Sequence, residues 1–156
     1  MKRLLLILIA ITIIGCASFN RISYDDIRIE NLLLSSKEPT KFGDYNRQKV
    51  FQVEDIFYLY AELKNVEIID NGVCVTAYLI IKKPDGEVLT SGIILDSEGD
   101  MNGINYDEIY IYKGFIIPSE LPSGRYEMQL EVFDGLSNKT AIGMTILRVK
   151  KKTITI

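Results

Sequence analysis

The sequence predicts an all-β protein, an antiparallel β-sandwich of about seven strands that follows an N-terminal signal or anchor helix. Three observations favour this class. Apolar and polar residues alternate with period two in several segments, as in strands with one buried face. Gly, Pro, Asn and Asp mark turns between these segments at short intervals. No segment after the apolar N terminus has the 3.6-residue periodicity of an amphipathic helix.

The N-terminal segment is organised like a secretory signal. Lys2 and Arg3 precede an apolar run over residues 4–14, which ends shortly before Cys16. A basic start followed by about 7–15 apolar residues is typical of a signal peptide, whereas a membrane-spanning helix needs about 20. We therefore predict a signal peptide at residues 1–15. An uncleaved anchor and a soluble secretory signal are the competing interpretations.

The end of this run resembles a lipobox, the motif that closes the signal peptides of prokaryotic membrane lipoproteins. Gly15 and Cys16 match the motif, Ile13 is a conservative replacement, and Ile14 stands where a small residue is usual. The resemblance implies that the sulfur of Cys16 receives a diacylglycerol and that Cys16 becomes the first residue of the mature protein. Stable anchoring requires two acyl chains, and a diacylglyceryl group supplies two. The expected location is the cell membrane, on its extracytoplasmic side.

A short tether at residues 16–26 leads into a domain at residues 27–156, whose first three strands follow from their patterns. Residues 27–32 alternate between apolar and polar. In residues 50–63, which we expect to bend near Glu54 and Asp55, the apolar side chains from Phe57 to Leu63 occupy one face. Residues 73–81 are apolar on both faces, as expected of a central strand.

Four more strands complete the predicted sandwich. The turn signal at residues 83–86, Lys-Pro-Asp-Gly, joins the preceding strand to residues 87–95 as a hairpin. After a polar stretch at residues 96–105, residues 106–117 form the next strand. Residues 125–132 alternate without error, and a tight turn at residues 135–138 leads into the last strand at residues 140–149.

Residues 117–126 resemble the Leu-x-Pro-Gly-x-Tyr corner of immunoglobulin-like and fibronectin-type-III-like domains. The resemblance extends over roughly residues 84–149 and implies an immunoglobulin-like sandwich. It also implies that the hydroxyl of Tyr126 ties the corner to the backbone, with Leu121 and Gly124 as the leucine and glycine of the motif. The Cys…Trp…Cys pattern of antibody domains is missing, because the sequence contains no tryptophan. A resemblance of this kind indicates a fold and not a function.

Composition excludes several classes of function. Residues 1–15 carry two positive charges and no negative charge, so their removal takes the net charge from −3 to −5. Nucleic-acid binding needs a clustered basic surface and is therefore not expected. Histidine, the most frequent general acid or base, is absent from the sequence. With Cys16 assigned to lipid, Cys74 is expected to act as a small hydrophobic residue. We expect no enzymatic activity and no cofactor.

One acidic segment imitates a calcium-binding loop. Oxygen-bearing side chains stand at positions 1, 3, 5, 7 and 12 of the pattern, and these are Asp96, Glu98, Asp100, Asn102 and Asp107. The sharp turn of such a loop needs glycine at position six, where this sequence has Met101. A solvated hairpin loop explains the same residues, and we predict this loop in preference to a metal site.

Tyrosines form a second candidate site. Tyr58 and Tyr60 share one face of a predicted strand, and Tyr110 and Tyr112 share one face of another. Such a row can bind a sugar or a protein, because the ring is apolar and its hydroxyl is polar. The competing interpretation, which we favour, is that these rings cover the sheet. Asn138 begins an Asn-Lys-Thr sequon for N-glycosylation.

These observations lead to two functional hypotheses. The first is a non-catalytic, lipid-anchored exported protein that binds a protein partner in the cell envelope as an interaction or accessory module. The alternative is a module that binds a carbohydrate or another small ligand through an exposed tyrosine face.

Overall fold

The computed structural model describes residues 21, 22, 26–100 and 105–151. The regular elements in these residues are all strands. Within the described residues there is no helix long and apolar enough to cross a membrane. The predicted signal peptide, Cys16 and Asn102 lie outside the described residues.

The described chain forms ten strands arranged in two sheets. They are β1 (Arg21–Ile22), β2 (Arg28–Ser35), β3 (Val50–Gln52), β4 (Ile56–Lys64), β5 (Ile68–Ile69), β6 (Gly72–Lys82), β7 (Val88–Asp100), β8 (Tyr110–Ile116), β9 (Gly124–Asp134) and β10 (Lys139–Lys150). The larger sheet has the order β7-β6-β9-β10-β3, and a short β1–β5 ribbon joins it at the start of β6. The smaller sheet has the order β2-β4-β8. Only the β10–β3 pair is parallel among the described pairs.

The predicted all-β class is confirmed, and the two sheets are consistent with a sandwich. The expected bend near Glu54 is present, because this residue has a φ of +71° and separates β3 from β4. The short strands β1 and β5 were not predicted, and two boundaries differ from the prediction by four residues or more. Strand β7 continues to Asp100, since residues 96–100 remain paired with β6. The strand predicted from residue 106 begins only at Tyr110.

The core lies between the two sheets. As predicted, Phe57, Leu59, Ala61 and Leu63 on β4 form one buried face. This face packs against alternate residues of the larger sheet, and these are Val75, Ala77, Leu79 and Ile81 on β6 and Tyr126, Met128, Leu130 and Val132 on β9. Burying a large aliphatic or aromatic side chain stabilises a fold by about 1.5–3 kcal/mol. This layer is therefore the main source of stability.

The predicted tyrosine corner is also confirmed. The hydroxyl of Tyr126 donates a hydrogen bond of 2.7 Å to the carbonyl oxygen of Pro122, and Leu121 packs against the core. Glycine is required at position 124, because an added Cβ would lie 2.8 Å from Cγ of Pro84. The corner thereby packs closely against the turn between β6 and β7. Burial raises the pKa of Tyr126.

A buried carboxylate that the sequence analysis did not identify organises the opposite end of β9. Asp134 is fully buried, and its carboxylate accepts hydrogen bonds from the backbone N–H groups of Glu67 (2.7 Å), Leu136 (3.0 Å) and Ser137 (3.3 Å). Charge-assisted bonds of this kind offset the cost of burying the carboxylate. Asp134 therefore holds the β9–β10 turn and the segment after β4 together.

Candidate functional site

The two lateral sides of the sandwich differ in how closely the sheets approach. On one side, β10 lies against β2. A Cβ added at Gly143 of β10 would lie 3.0 Å from Cδ2 of Leu32 and 3.2 Å from Cδ1 of Ile29. These distances are shorter than ordinary van der Waals contact. The absence of a side chain at Gly143 therefore allows the sheets to close on this side.

On the other side, the edge strands β7 and β8 border a groove. Its volume is about 510 Å³, and its lining includes Leu89 and Thr90 from β7 and Phe115 and Ile116 from β8. The tyrosine corner closes one end of the groove. Among the described residues that line it, only Glu120 carries a charge. The volume and the apolar lining are within the range of protein binding sites.

The inward face of β7 explains why this side stays open. Its inward positions are small or polar at three places, since Thr90 is opposite Ile81, Gly92 opposite Leu79 and Ser97 opposite Val75 on β6. A Cβ added at Gly92 would meet no atom within 4 Å. Farther along, a second space of about 380 Å³ again lies between residues of β7 and residues of β8. Strand β7 thus leaves unfilled volume beside the core.

The outer edge of β7 pairs with no other strand in the described part of the chain. The strand is 13 residues long, and Val88, Leu89 and Ile93 on it are exposed, Ile93 to 62%. Residues 88–95 carry no charge, and the acidic residues begin at Asp96. Long, apolar edge strands offer unpaired backbone groups to other chains, and most proteins protect such edges with charges, proline or bulges. Strand β7 has register irregularities at Leu89 and Ile94, but residues 88–95 contain no charge and no proline.

The predicted tyrosine face is present, but the connection between β2 and β3 folds over part of it. Tyr60 is fully buried. Its hydroxyl accepts a hydrogen bond from the N–H of Gly43 (2.8 Å) and donates one to Oε1 of Glu62 (3.0 Å). The ring of Tyr45 lies 5.0 Å from the ring of Tyr60. Burial is the main cause that raises the pKa of Tyr60 to about 12.

The other predicted tyrosines surround Tyr60. The ring of Tyr110 lies 5.6 Å from Tyr60 and stacks on Tyr112 at 6.2 Å, and Tyr112 lies 6.5 Å from Tyr58. Tyr112 is 42% exposed, whereas Tyr58 and Tyr110 are half-buried. The role of covering the sheet therefore accounts for the buried position of Tyr60. The part of the face open to a ligand is centred on Tyr112.

An exposed ion pair holds the covering segment in shape. The carboxylate of Asp44 accepts hydrogen bonds from Nζ of Lys37 (2.5 Å) and from the hydroxyl and backbone N–H of Thr40 (2.6 and 3.2 Å). These bonds, that of Lys37 first, lower the pKa of Asp44 to about 2. The ring of Phe42 packs edge-on against Tyr110 at 6.5 Å. The segment thus contributes its own aromatic side chains to the layer over the sheet.

The described residues of the calcium-like pattern lie on β7 and before β8, and Asn102 is outside the described residues. Asp96, Glu98 and Asp100 belong to β7, whose pairing with β6 keeps the backbone extended. Alternate residues of an extended strand are about 7 Å apart on one face. A side-chain oxygen of Asp96 accepts a hydrogen bond from Thr76 (2.9 Å). Asp107 precedes β8.

In the described residues, no group of three or more His, Cys, Asp or Glu is placed to hold a metal ion. Residues 96–100 are therefore strand, not the start of the predicted hairpin loop.

Asn138 lies in the turn between β9 and β10 and is exposed. It has a φ of +59°, and its N–H donates a hydrogen bond of 2.8 Å to the carbonyl oxygen of Asp134. Asparagine tolerates this left-handed conformation better than most residues. The side chain of the sequon is therefore open to solvent.

No protein-family model matches the sequence, and no curated protein does either. Among solved structures, the chain is similar to the alkylpurine DNA glycosylase AlkC of Pseudomonas fluorescens bound to DNA with an abasic site analogue. The TM-score is 0.51 at 10% identity, and the match covers 80% of this chain but only 30% of that one. A match to the C-terminal domain of wzt has a TM-score of 0.50 at 14% identity and covers 86% of this chain and 79% of that one. These similarities are of fold alone.

An immunoglobulin-like protein of Pseudomonas aeruginosa also aligns, with a TM-score of 0.42 at 14% identity, over 81% of this chain and 98% of that one. A score at this level carries no argument about function.

Proposed function

We propose that this protein is a lipid-anchored, non-catalytic interaction module that holds a protein partner at the outer face of the membrane. In this proposal Cys16 carries the lipid, and the sandwich with its tyrosine corner is an immunoglobulin-like domain. The observation that carries the proposal is the open lateral side, where the uncharged first half of β7, residues 88–95, borders an apolar groove. Exposed apolar surface that adjoins a groove is typical of protein interaction sites.

The position of the anchor supports an outward-facing site. Strand β1 pairs with β5 next to the start of β6, with Arg21 opposite Ile69. Cys16 precedes Arg21 by five positions, which an extended chain covers in at most about 18 Å. Strand β6 then runs for 11 residues, roughly 36 Å, to the end where Lys82 is opposite Val88. A lipid on Cys16 thus anchors the end of the sandwich opposite the groove near Val88.

Affinity purification of the full chain from detergent-solubilised membranes tests the proposal. We expect a partner protein in stoichiometric amount, and we expect the wild-type protein in the membrane fraction. The variant Cys16→Ser should lose the diacylglyceryl mass in intact-protein mass spectrometry. A wild-type protein that carries an unmodified Cys16 joined to residues 1–15 would contradict the lipid anchor. A preparation without any partner, at every detergent and salt condition, would contradict the interaction function.

The second candidate function is binding of a carbohydrate at the exposed part of the tyrosine face. It is favoured by the stacked pair of Tyr110 and the 42% exposed Tyr112, because sugar rings pack on aromatic faces that keep a polar group nearby. Retention of the purified protein on immobilised glycans, abolished by Tyr112→Ala, would favour this function. The matched control is Tyr106→Ala, since Tyr106 is exposed to a similar degree and lies outside the ring cluster.

A further inference from the structure

We propose that β7 binds an extended segment of the partner protein as an additional strand, and that this segment inserts its side chains into the groove between β7 and β8. The segment has apolar side chains at alternate positions and uncharged polar side chains between them. This inference rests on the proposed function and names the surface and the chemistry through which the partner is held.

The backbone of β7 supplies the first part of the argument. One side of β7 is paired with β6 from Val88 to Asp100, and its other side pairs with no strand in the described residues. Apart from the register irregularities at Leu89 and Ile94, every second residue therefore directs its N–H and C=O groups away from the sheet. Strand addition satisfies such groups through main-chain hydrogen bonds, and pockets for alternate side chains give it specificity.

The groove supplies the second part. A strand that continues the sheet beyond β7 directs alternate side chains towards the smaller sheet, into the space between β7 and β8. Thr90 lines this space, Phe115, Ile116 and Leu121 give it apolar walls, and the next inward position, Gly92, adds no side chain. The remaining side chains of the added strand lie on the outer face beside Ile93. The pattern of the segment therefore alternates with the period of the strand.

Charge restricts both the segment and its position. Residues 88–95 are uncharged, whereas Asp96, Glu98 and Asp100 follow within the same strand. A segment without charges matches the first half of β7, and an acidic segment would be repelled from the second half. The uncharged half is also at the end of β6 remote from the β1–β5 ribbon. An anchor at Cys16 holds that end away from the bilayer, which favours a protein segment over a lipid chain as the occupant.

Site-specific photocrosslinking in living cells tests the inference. The photoreactive amino acid p-benzoylphenylalanine is placed at position 89, 93 or 142 of the full chain, and the crosslinked peptides are identified by mass spectrometry. Position 142 is the matched control, because Ile142 is 61% exposed and Ile93 62%, while the neighbouring Gly143 lies close to Leu32 and Ile29 of β2 and leaves no room there for an inserted side chain. We expect positions 89 and 93 to crosslink to one short segment with alternating apolar residues, and position 142 not to crosslink to it.

Substitutions provide the quantitative test. Ile93→Lys places a charge on the edge and should reduce the co-purified partner at least about tenfold. Gly92→Val fills the open space at the inward face of β7, next to the groove residue Thr90, and should have a similar effect. Ile142→Lys should leave the amount of partner unchanged. Thermal unfolding of each variant within a few degrees of the wild type shows that the fold is retained, and any variant that fails this criterion is replaced by Ile93→Thr or Gly92→Ala.

The outcomes separate the inference from the function on which it rests. A partner that co-purifies undiminished with Ile93→Lys and Gly92→Val overturns strand addition and leaves the interaction function intact. Crosslinks from position 93 to position 93 of a second copy overturn it in favour of self-association. Adducts with membrane lipid alone overturn it in favour of lipid binding. The absence of any stoichiometric partner removes the proposed function itself.

Discussion

The hydroxyl of Tyr126 donates a hydrogen bond of 2.7 Å to the carbonyl oxygen of Pro122, across the turn that enters β9. The Tyr126 ring also lines the groove beside β7. One side chain thus fixes the turn between β8 and β9 and forms part of a wall of the candidate binding site.

Tyr126→Phe removes this hydrogen bond and keeps the ring. We expect the free energy of unfolding to fall by about 1 kcal/mol, because a typical intramolecular hydrogen bond contributes that amount. Urea denaturation followed by circular dichroism measures the change. The control is Tyr112→Phe, because the hydroxyl of Tyr112 is exposed and lies 3.5 Å from Glu38. The effect of this substitution on stability should be close to zero. Equal effects of the two substitutions would contradict a stabilising role for the corner.

Asp134→Ala should be among the most destabilising substitutions in the domain. It removes a fully buried carboxylate that accepts three backbone N–H hydrogen bonds, and the loss of stability should reach about 3 kcal/mol or more. Asp134→Asn should lie between alanine and wild type, because the amide oxygen still accepts from Leu136 and Ser137 but the bond to Glu67 is lost.

Hydrogen exchange distinguishes these two variants at single amides. In Asp134→Asn the amide of Glu67 should exchange faster, while the amides of Leu136 and Ser137 stay protected. Asp96→Ala is the control, because Asp96 is exposed and its carboxylate accepts a hydrogen bond from the hydroxyl of Thr76. If Asp96→Ala destabilises the protein as much as Asp134→Ala, the structural role assigned to Asp134 is wrong.

The sequence predicts the faces of β4 well, because alternation is a local property of a strand. Phe57 and Leu59 face the core and Tyr58 and Tyr60 face outwards, as their spacing indicates. The burial of Tyr60 depends on Gly43 and Tyr45 in another part of the chain. No local pattern reports that contact, and the accessibility of the tyrosine site therefore could not be predicted.

The acidic segment shows a different limit of sequence analysis. Oxygen ligands at alternate positions indicate a calcium loop, but alternation is equally the period of a strand. The pairing of Asp96 with Thr76 and of Asp100 with Gly72 shows that residues 96–100 form a strand. The open edge of β7 was also missed, because the order of strands in a sheet is a tertiary property. The uncharged run at residues 88–95 and the glycine at position 92 were its available signals.

The buried hydroxyl of Tyr60 should make stability fall at high pH. Its pKa is about 12 in the folded protein against 10.0 for an unperturbed tyrosine, so the folded state retains a proton that the unfolded state releases. The contribution is fully present below pH 10, declines as the pH rises from 10 to 12, and is lost above that.

Denaturant unfolding at several pH values, compared between wild type and Tyr60→Phe, isolates this contribution from that of the lysines. The wild type should lose more stability than Tyr60→Phe between pH 10 and 12, by on the order of 2 kcal/mol. Identical slopes for the two proteins would mean that Tyr60 ionises as an exposed tyrosine does, and that the segment containing Gly43 does not cover it in solution.

Valine substitutions at two glycines should reveal the difference between the lateral sides of the sandwich. Gly143→Val adds a branched side chain where a Cβ already lies 3.0 Å from Leu32, and overpacking of this kind costs about 1–3 kcal/mol. Gly92→Val adds the same atoms where a Cβ meets nothing within 4 Å. Valine also suits a strand better than glycine, so the stability of the isolated protein should stay unchanged or rise slightly. Thermal unfolding of the two variants side by side measures both effects. A large loss of stability in Gly92→Val would show that β7 and β8 are closed against each other in solution, and the groove would then not be available to a partner.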